Sequence, residues 1–189
     1  GVPICLDTQD TEEIIQAVKN IAPGFGGINL EDISAPRCFE IEERLKEMLD
    51  IPVFHDDQHG TAIVVLAGII NGLRVTGKKK EDCRVVVNGA GSAGVAITKL
   101  LLTYGFKHVT MCDREGIIGK DYPNLNWMQK NMTEVTNLEN ASGTLADALR
   151  GADIFVGVSA PNIVTPEMVS SMNKDAILFA MANPVPEIM

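Results

Sequence analysis

A chain of 189 residues has room for one large domain, or one domain and part of a second. Its 46% hydrophobic and 22% charged residues exclude a disordered or fibrous chain. Its net charge of −9 repels phosphate backbones and anionic lipid, which excludes nucleic-acid or membrane binding as a main role. An anionic substrate would need a bound cation or a patch of backbone N–H groups.

In chain order, Val2–Leu6 reads as a short apolar strand that starts abruptly. Asp10–Ile21 has helical spacing, with Ile14, Ile15, Val18 and Ile21 apolar. The turn Gly24-Phe25-Gly26-Gly27 leads into a strand over Gly27–Leu30. Pro36 suits the first turn of a helix, with Ser34 as its cap, running to about Leu49. Ile51–Phe54 reads as the next strand. Thr61–Val75 is apolar nearly all round and is expected to be a buried helix. Within it, Gly68 and Gly72 would let another backbone approach, and Gly77 is a helix stop. Lys78–Asp82 is a solvated charged stretch, read as the loop between two lobes.

Beyond it, strands are expected at Arg84–Asn88, His108–Cys112, Ile154–Val158 and Ala176–Ala180. Helices are expected at Ser92–Tyr104, Trp127–Val135, Thr144–Arg150 and Pro166–Met172. Such alternation implies parallel strands and an α/β, doubly wound parallel sheet. The division expected is a partial α/β lobe over 1–77 and a dinucleotide-binding domain over 78–189. The final Asn183-Pro184-Val185-Pro186 reads as a loop after a strand, so both ends look cut from something longer. Cys5, Cys38, Cys83 and Cys112 are widely spaced with no CxxC, as free, buried thiols in a reducing, cytoplasmic compartment would be. No segment reads as a membrane span or a signal peptide.

Val85-Val86-Val87-Asn88-Gly89-Ala90-Gly91-Ser92-Ala93-Gly94 is a strand entering GxGxxG and then a helix. Gly89 would make the tight turn, Gly91 would let a pyrophosphate approach the backbone, and Gly94 would let helix pack on strand. The helix N-terminus would then offer free N–H groups and a positive dipole end to the phosphates. Asp113 ends the second strand, about twenty residues on, where a carboxylate accepts from ribose hydroxyls. That favours NAD, whereas Arg114 could pair with a 2′-phosphate and favour NADP. Ser159 and Asn183 follow later strands and could reach the nicotinamide or the substrate.

Upstream, Glu31 and Asp32 end one strand and Asp56 and Asp57 another. Carboxylates converging there would repel unless a cation sat among them, and hard oxygen donors suit Mg²⁺ or Mn²⁺. Alternatively, Asp56 or Asp57 caps the following helix. His55 and His59 flank the acids at a spacing that zinc sites use. However, Asp-Asp-Gln between them opens a helix rather than lying within one, so a cap or supporting role fits each better.

The stretches Phe25–Ile33, Ala35–Phe39, Asp50–Ala62, Asn88–Gly94 and Phe179–Pro184 together resemble the malic enzymes in their short bacterial-type form. The resemblance implies a Rossmann-type NAD(P) domain. It also implies metal ligands at Glu31, Asp32 and Asp57, and at Asp56 a carboxylate that supports a catalytic lysine. Ala90, Gly91, Ser92 and Ala93 match the pyrophosphate loop, and Asn183 a substrate- and nicotinamide-contacting asparagine. The implied activity is oxidative decarboxylation of malate to pyruvate, with NAD or NADP and Mg²⁺ or Mn²⁺, in a homodimer or larger assembly. The family's catalytic lysine and tyrosine have no counterparts here, because Lys19 and Tyr104 lie in the wrong contexts. The isolated chain is therefore expected to be nearly inactive. The alternatives are a metal-independent dehydrogenase and a non-catalytic nucleotide-binding module.

Overall fold

Asp10 opens the first helix of the computed structural model, which describes residues 1–189. Its carboxylate accepts from the Glu12 and Glu13 N–H groups at 2.9 and 3.0 Å, satisfying two donors a helix start leaves free. Helix α1 (Thr11–Ile21) is followed by strand β1 (Ile28–Leu30), helix α2 (Arg37–Met48) and strand β2 (Val53–His55). β1 and β2 pair in parallel, with Leu30 opposite His55. Ile14, Ile15 and Val18 of α1 pack with Ile41 and Leu45 of α2 and with Leu30 and Val53 of the strands. These elements form a compact unit, Gly1–Asp57.

Three expectations fail in this unit. Val2–Leu6 forms no strand and is exposed, pairing with neither β1 nor β2. Cys5 is consequently exposed rather than buried. Pro36 is the residue before α2, and no side chain caps it. Ser34 contributes its carbonyl, which accepts from the Cys38 N–H at 3.2 Å.

The second unit, Gln58–Met189, holds α3 (Thr61–Thr76), β3 (Arg84–Asn88), α4 (Ser92–Tyr104), β4 (His108–Asp113), β5 (Gly116–Ile117), α5 (Trp127–Met132), α6 (Leu145–Leu149), β6 (Ile154–Gly157), α7 (Pro166–Ser170) and β7 (Ile177–Ala180). The sheet order is β5-β4-β3-β6-β7. All neighbours are parallel except β5, a short antiparallel edge on β4 that its two residues did not announce. Alternation sorts the sheet's two faces. Val85, Val87, Ile154 and Val156 join α3 and α4 in one core. Val86 and Phe155 join Ala148 and Leu149 of α6 in the other. A parallel sheet covered on both faces needs such continuous apolar strands.

α3 belongs to this unit, so the division falls between Asp57 and Gln58 rather than at the charged stretch after Gly77. The cause is packing: Ala62, Val65, Ile69 and Leu73 lie in the same core as α4 and β3. Gly68 and Gly72 admit side chains rather than a second backbone. A Cβ at Gly68 would sit 2.7 Å from the Phe179 ring, and one at Gly72 3.0 Å from Ile177. α3 is not buried all round, since Ile63, Val64 and Val75 are exposed. A π-helical turn, Asp56–Gly60, extends it. The run Asp56–Thr76 is thus long and apolar enough, by length and composition, to cross a membrane, contrary to the sequence expectation. Its buried stripe against α4 is that of a core helix. The charged stretch is only partly solvated: Lys78 pairs with Asp153 at 2.8 Å, and Lys80 lies over the Tyr104 ring.

Candidate functional site

The sheet order places β4 on one side of β3 and β6 on the other. The crevice at the carboxyl ends of strands that diverge in this way is where open α/β sheets bind ligands. A cavity of about 1050 Å³ lies there. It is lined by Asn88, Gly89, Ala90 and Gly91 after β3, by Asp113 to Gly116 around the end of β4, and by Val158, Ser159 and Ala160 after β6.

The three glycines of the turn differ in what they require. Gly89 has φ +109°, and a Cβ there would lie 2.6 Å from the Val158 carbonyl oxygen. Only glycine reaches that backbone conformation without strain. A Cβ on Gly94 would overlap the Gly89 carbonyl oxygen at 1.7 Å, so α4 crosses β3 closely only without one. A Cβ on Gly91 would meet nothing within 4 Å. Gly91 is exposed, and open space faces it where a ligand phosphate would lie. α4 starts at Gly91 with no side-chain cap. Its first N–H groups and positive dipole end are thereby left to an anion.

Asp113 accepts from the Arg114 N–H at 2.9 Å and from the Gln129 amide at 3.3 Å. The same amide donates to the Ala90 carbonyl at 3.2 Å. Gln129 thereby links the glycine turn to the carboxylate at the end of β4. It stands three residues after Asn126, with which it forms a reciprocal cap of α5. Tyr122 also lines the cavity, and its hydroxyl accepts from the Glu115 N–H at 3.0 Å. Burial, then neighbouring carboxylates, push its pKa up against that bond. Sequence reading missed both residues, because the polar stretch after Gly116 has no period. The Asn-x-x-Gln cap was its one local signal.

Asn88 donates to the Ser159 hydroxyl at 2.6 Å. The Ser159 N–H donates to Glu187 at 2.9 Å. Glu187, a buried carboxylate, was also missed. Of the residues expected at this site, Asn88's neighbours Gly89, Ala90 and Gly91 line the cavity together with Asp113 and Ser159. Ser92, Ala93 and Gly94 form the first turn of α4 behind them, with Ala93 packed into the core. Asn183 follows β7, is exposed and does not line the cavity.

In the first unit the acidic residues lie at the ends of the paired strands. The Asp32 N–H donates to Asp57 Oδ2 at 3.1 Å, and Asp32 has φ 56°. Glu31 accepts from the Asn29 amide at 2.8 Å. Asp56 is exposed at the start of the π-helical turn. The donors are hard oxygens of the kind Mg²⁺ and Mn²⁺ take, and Asp32 and Asp57 lie side by side. No group of three or more His, Cys, Asp or Glu side chains converges to hold a metal. His55 is fully buried, with both ring nitrogens lacking a hydrogen-bond partner.

The family model for the malic enzyme NAD-binding domain matches residues 58–188, and that for the malic enzyme N-terminal domain matches residues 6–46. The chain is 61% identical over 188 residues to the NAD-dependent malic enzyme of Geobacillus stearothermophilus, covering 98% of this chain and 39% of the relative. It is 53% identical to the bifunctional malic/malolactic enzyme of Bacillus subtilis, over 99% of this chain and 46% of the relative. The crystal structure of an NAD-dependent malic enzyme from Thermotoga maritima superposes with a TM-score of 0.97 at 52% identity. That match covers all of this chain and 50% of the other. The chain thus spans half or less of the length of these proteins. On the family models and the relatives together, it belongs to the malic enzyme family.

Proposed function

We propose that the chain is the metal-ligand and dinucleotide-binding part of an enzyme that oxidatively decarboxylates malate to pyruvate and CO₂ as it reduces NAD⁺ or NADP⁺. The observation that carries this reading is the cavity at the carboxyl ends of β3, β4 and β6, faced by an uncapped helix and an open glycine, in a chain of this family. Gly89, Ala90 and Gly91, with the first turn of α4 from Ser92 to Gly94, hold the pyrophosphate. Asp113 accepts from the adenosine ribose, while Arg114 beside it would meet a 2′-phosphate. Ser159 and Asn183 serve the nicotinamide end. The relative named NAD-dependent supports NAD. A relative in Escherichia coli, 47% identical and named NADP-dependent, keeps NADP in the proposal.

Glu31, Asp32 and Asp57 would hold Mg²⁺ or Mn²⁺, with Asp56 beside it. Bound there, a divalent cation would offer Lewis-acid stabilisation of negative charge on a substrate oxygen. The proton transfers require a base and an acid, and neither is on this chain. Lys19 is exposed at the end of α1. Tyr104 ends α4, under Lys80. The chain alone therefore binds cofactor without turning malate over, and the full-length protein, a homodimer or larger, supplies the rest.

The test is a malate-dependent reduction assay on the full-length protein, with NAD⁺ or NADP⁺, with Mn²⁺ or EDTA, and with pyruvate quantified. Metal-dependent pyruvate matched by reduced cofactor supports the proposal; cofactor binding without metal-dependent turnover refutes it. The relative named malic/malolactic favours a second reading, in which malate leaves as lactate and CO₂ without net cofactor reduction. Lactate analysis of the same reactions separates the two.

A further inference from the structure

We infer that Glu187 is a positioning residue for the nicotinamide half of the dinucleotide, an inference that rests on the dinucleotide reading above. Its side chain is 0% exposed. Oε1 accepts from the Ser159 N–H at 2.9 Å and lies 3.5 Å from the Ser159 hydroxyl. Oε2 accepts from the Ala182 N–H at 3.0 Å. Ser159 lies in the loop after β6 and Ala182 in the loop after β7, so one carboxylate fastens two strand-end loops. The backbone reinforces it: the Asn162 N–H donates to the Pro186 carbonyl at 3.0 Å and the Val164 N–H to the Glu187 carbonyl at 2.9 Å. From the other side, the Asn88 amide reaches the Ser159 hydroxyl at 2.6 Å. Asn88, Ser159 and Glu187 thus form one run across the ends of β3, β6 and β7.

The sequence makes room for this carboxylate. A Cβ at Gly157 would stand 2.4 Å from Glu187 Cδ and 2.6 Å from Oε1. Burying a carboxylate costs desolvation that a packed apolar side chain would avoid. What a carboxylate does that an apolar group cannot is accept from two N–H groups at once, at a fixed separation. That sets the spacing between Ser159, which lines the cavity, and Asn183, which follows Ala182. The adenosine side is built by Gly89, Gly91 and Asp113, none of which hydrogen-bonds Glu187. Loss of the carboxylate should therefore disturb the nicotinamide half more than the adenosine half.

Calorimetric titrations of the chain with NAD⁺ and with ADP test this in two variants. Glu187→Gln keeps the shape but replaces one acceptor oxygen with an N–H donor facing another. Gly157→Ala keeps the carboxylate but pushes it aside. Each variant should weaken NAD⁺ roughly tenfold while ADP stays within about twofold of the parent. NAD⁺ binding unchanged in either folded variant would overturn the inference. So would equal loss of NAD⁺ and ADP, or failure of both variants to fold, since Glu187 would then hold the fold rather than the nicotinamide end. A parent chain that binds neither ligand would instead overturn the dinucleotide reading itself.

Discussion

In Gln58–Met189, four of the five strands carry apolar side chains on both faces, and each face has its own helices and core. In Gly1–Asp57, two strands of three residues pair only with each other. That unit keeps its core between α1, α2 and one strand face. It leaves Val2 and Ile4 exposed and both nitrogens of the buried His55 without partners. Two strands are marginal alone, whereas a larger covered sheet supports itself. The contrast separates two kinds of site. Where the sheet is complete, its strand ends and one helix N-terminus line a cavity together with side chains such as Asp113, Tyr122 and Gln129. Where it is two strands wide, the metal ligands proposed above are carboxylates at the strand ends, and the Asp32 N–H reaches Asp57 Oδ2.

The largest effect should come from breaking the close crossing in the complete unit. Gly94→Ala puts a methyl group 1.7 Å from a carbonyl oxygen. It should cost about 3 kcal/mol or more, lowering the melting temperature and abolishing dinucleotide binding together. Next is the ion pair that anchors the start of the sheet. Asp153 accepts from Lys78 at 2.8 Å, from the Arg84 N–H at 2.9 Å and from Asn173 at 3.0 Å. Burial raises its pKa, but Lys78 and the two other donors outweigh it and hold the carboxyl below its usual value. The stability it contributes is full above the ordinary carboxylate pKa of about 4 and fades as pH falls through the lower folded value. Asp153→Asn should cost about 2 kcal/mol at neutral pH. Denaturant titrations should show this deficit shrinking in acid, and a pH-independent deficit would refute it.

Asp57→Asn in the first unit should weaken Mn²⁺ binding at least tenfold while leaving ADP binding unchanged. A coupled loss of ADP affinity would show that Asp57 also supports the dinucleotide site. The smallest effect is chemical. Burial first, then nearby carboxylates, push the Cys38 thiol up to about 11 and the Cys112 thiol up to about 12, and burial also raises Cys83. Cys5 is exposed. Native labelling with a thiol reagent should modify Cys5 quickly and the other three only on unfolding.

What was legible in the sequence was what is local. The strand, glycine turn and helix over Val85–Tyr104 lie on a continuous segment, and Asp113 follows at the end of the next strand. Their placement needed only alternation, the absence of Cβ atoms and helix period. Gln129 and Glu187 were not legible. Each reaches the site from a distant segment, and a polar residue in an irregular stretch shows nothing of its future partners. Val2–Leu6 failed for the complementary reason, since an apolar run shows nothing of its partners and this one pairs with neither β1 nor β2. The exposed face of α3 was hidden because composition shows how apolar a helix is and not what lies beside it.

The most direct test of the account is to titrate NAD⁺ into the chain and into its Gly91→Val variant, following melting temperature in parallel. Space beside Gly91 is open, so the account predicts a nearly unchanged melting temperature and a loss of NAD⁺ affinity of a hundredfold or more, as the new side chain occupies the phosphate position. Unchanged NAD⁺ affinity in the folded variant would contradict it, because the ligand would then not lie against the glycine turn and the N-terminus of α4.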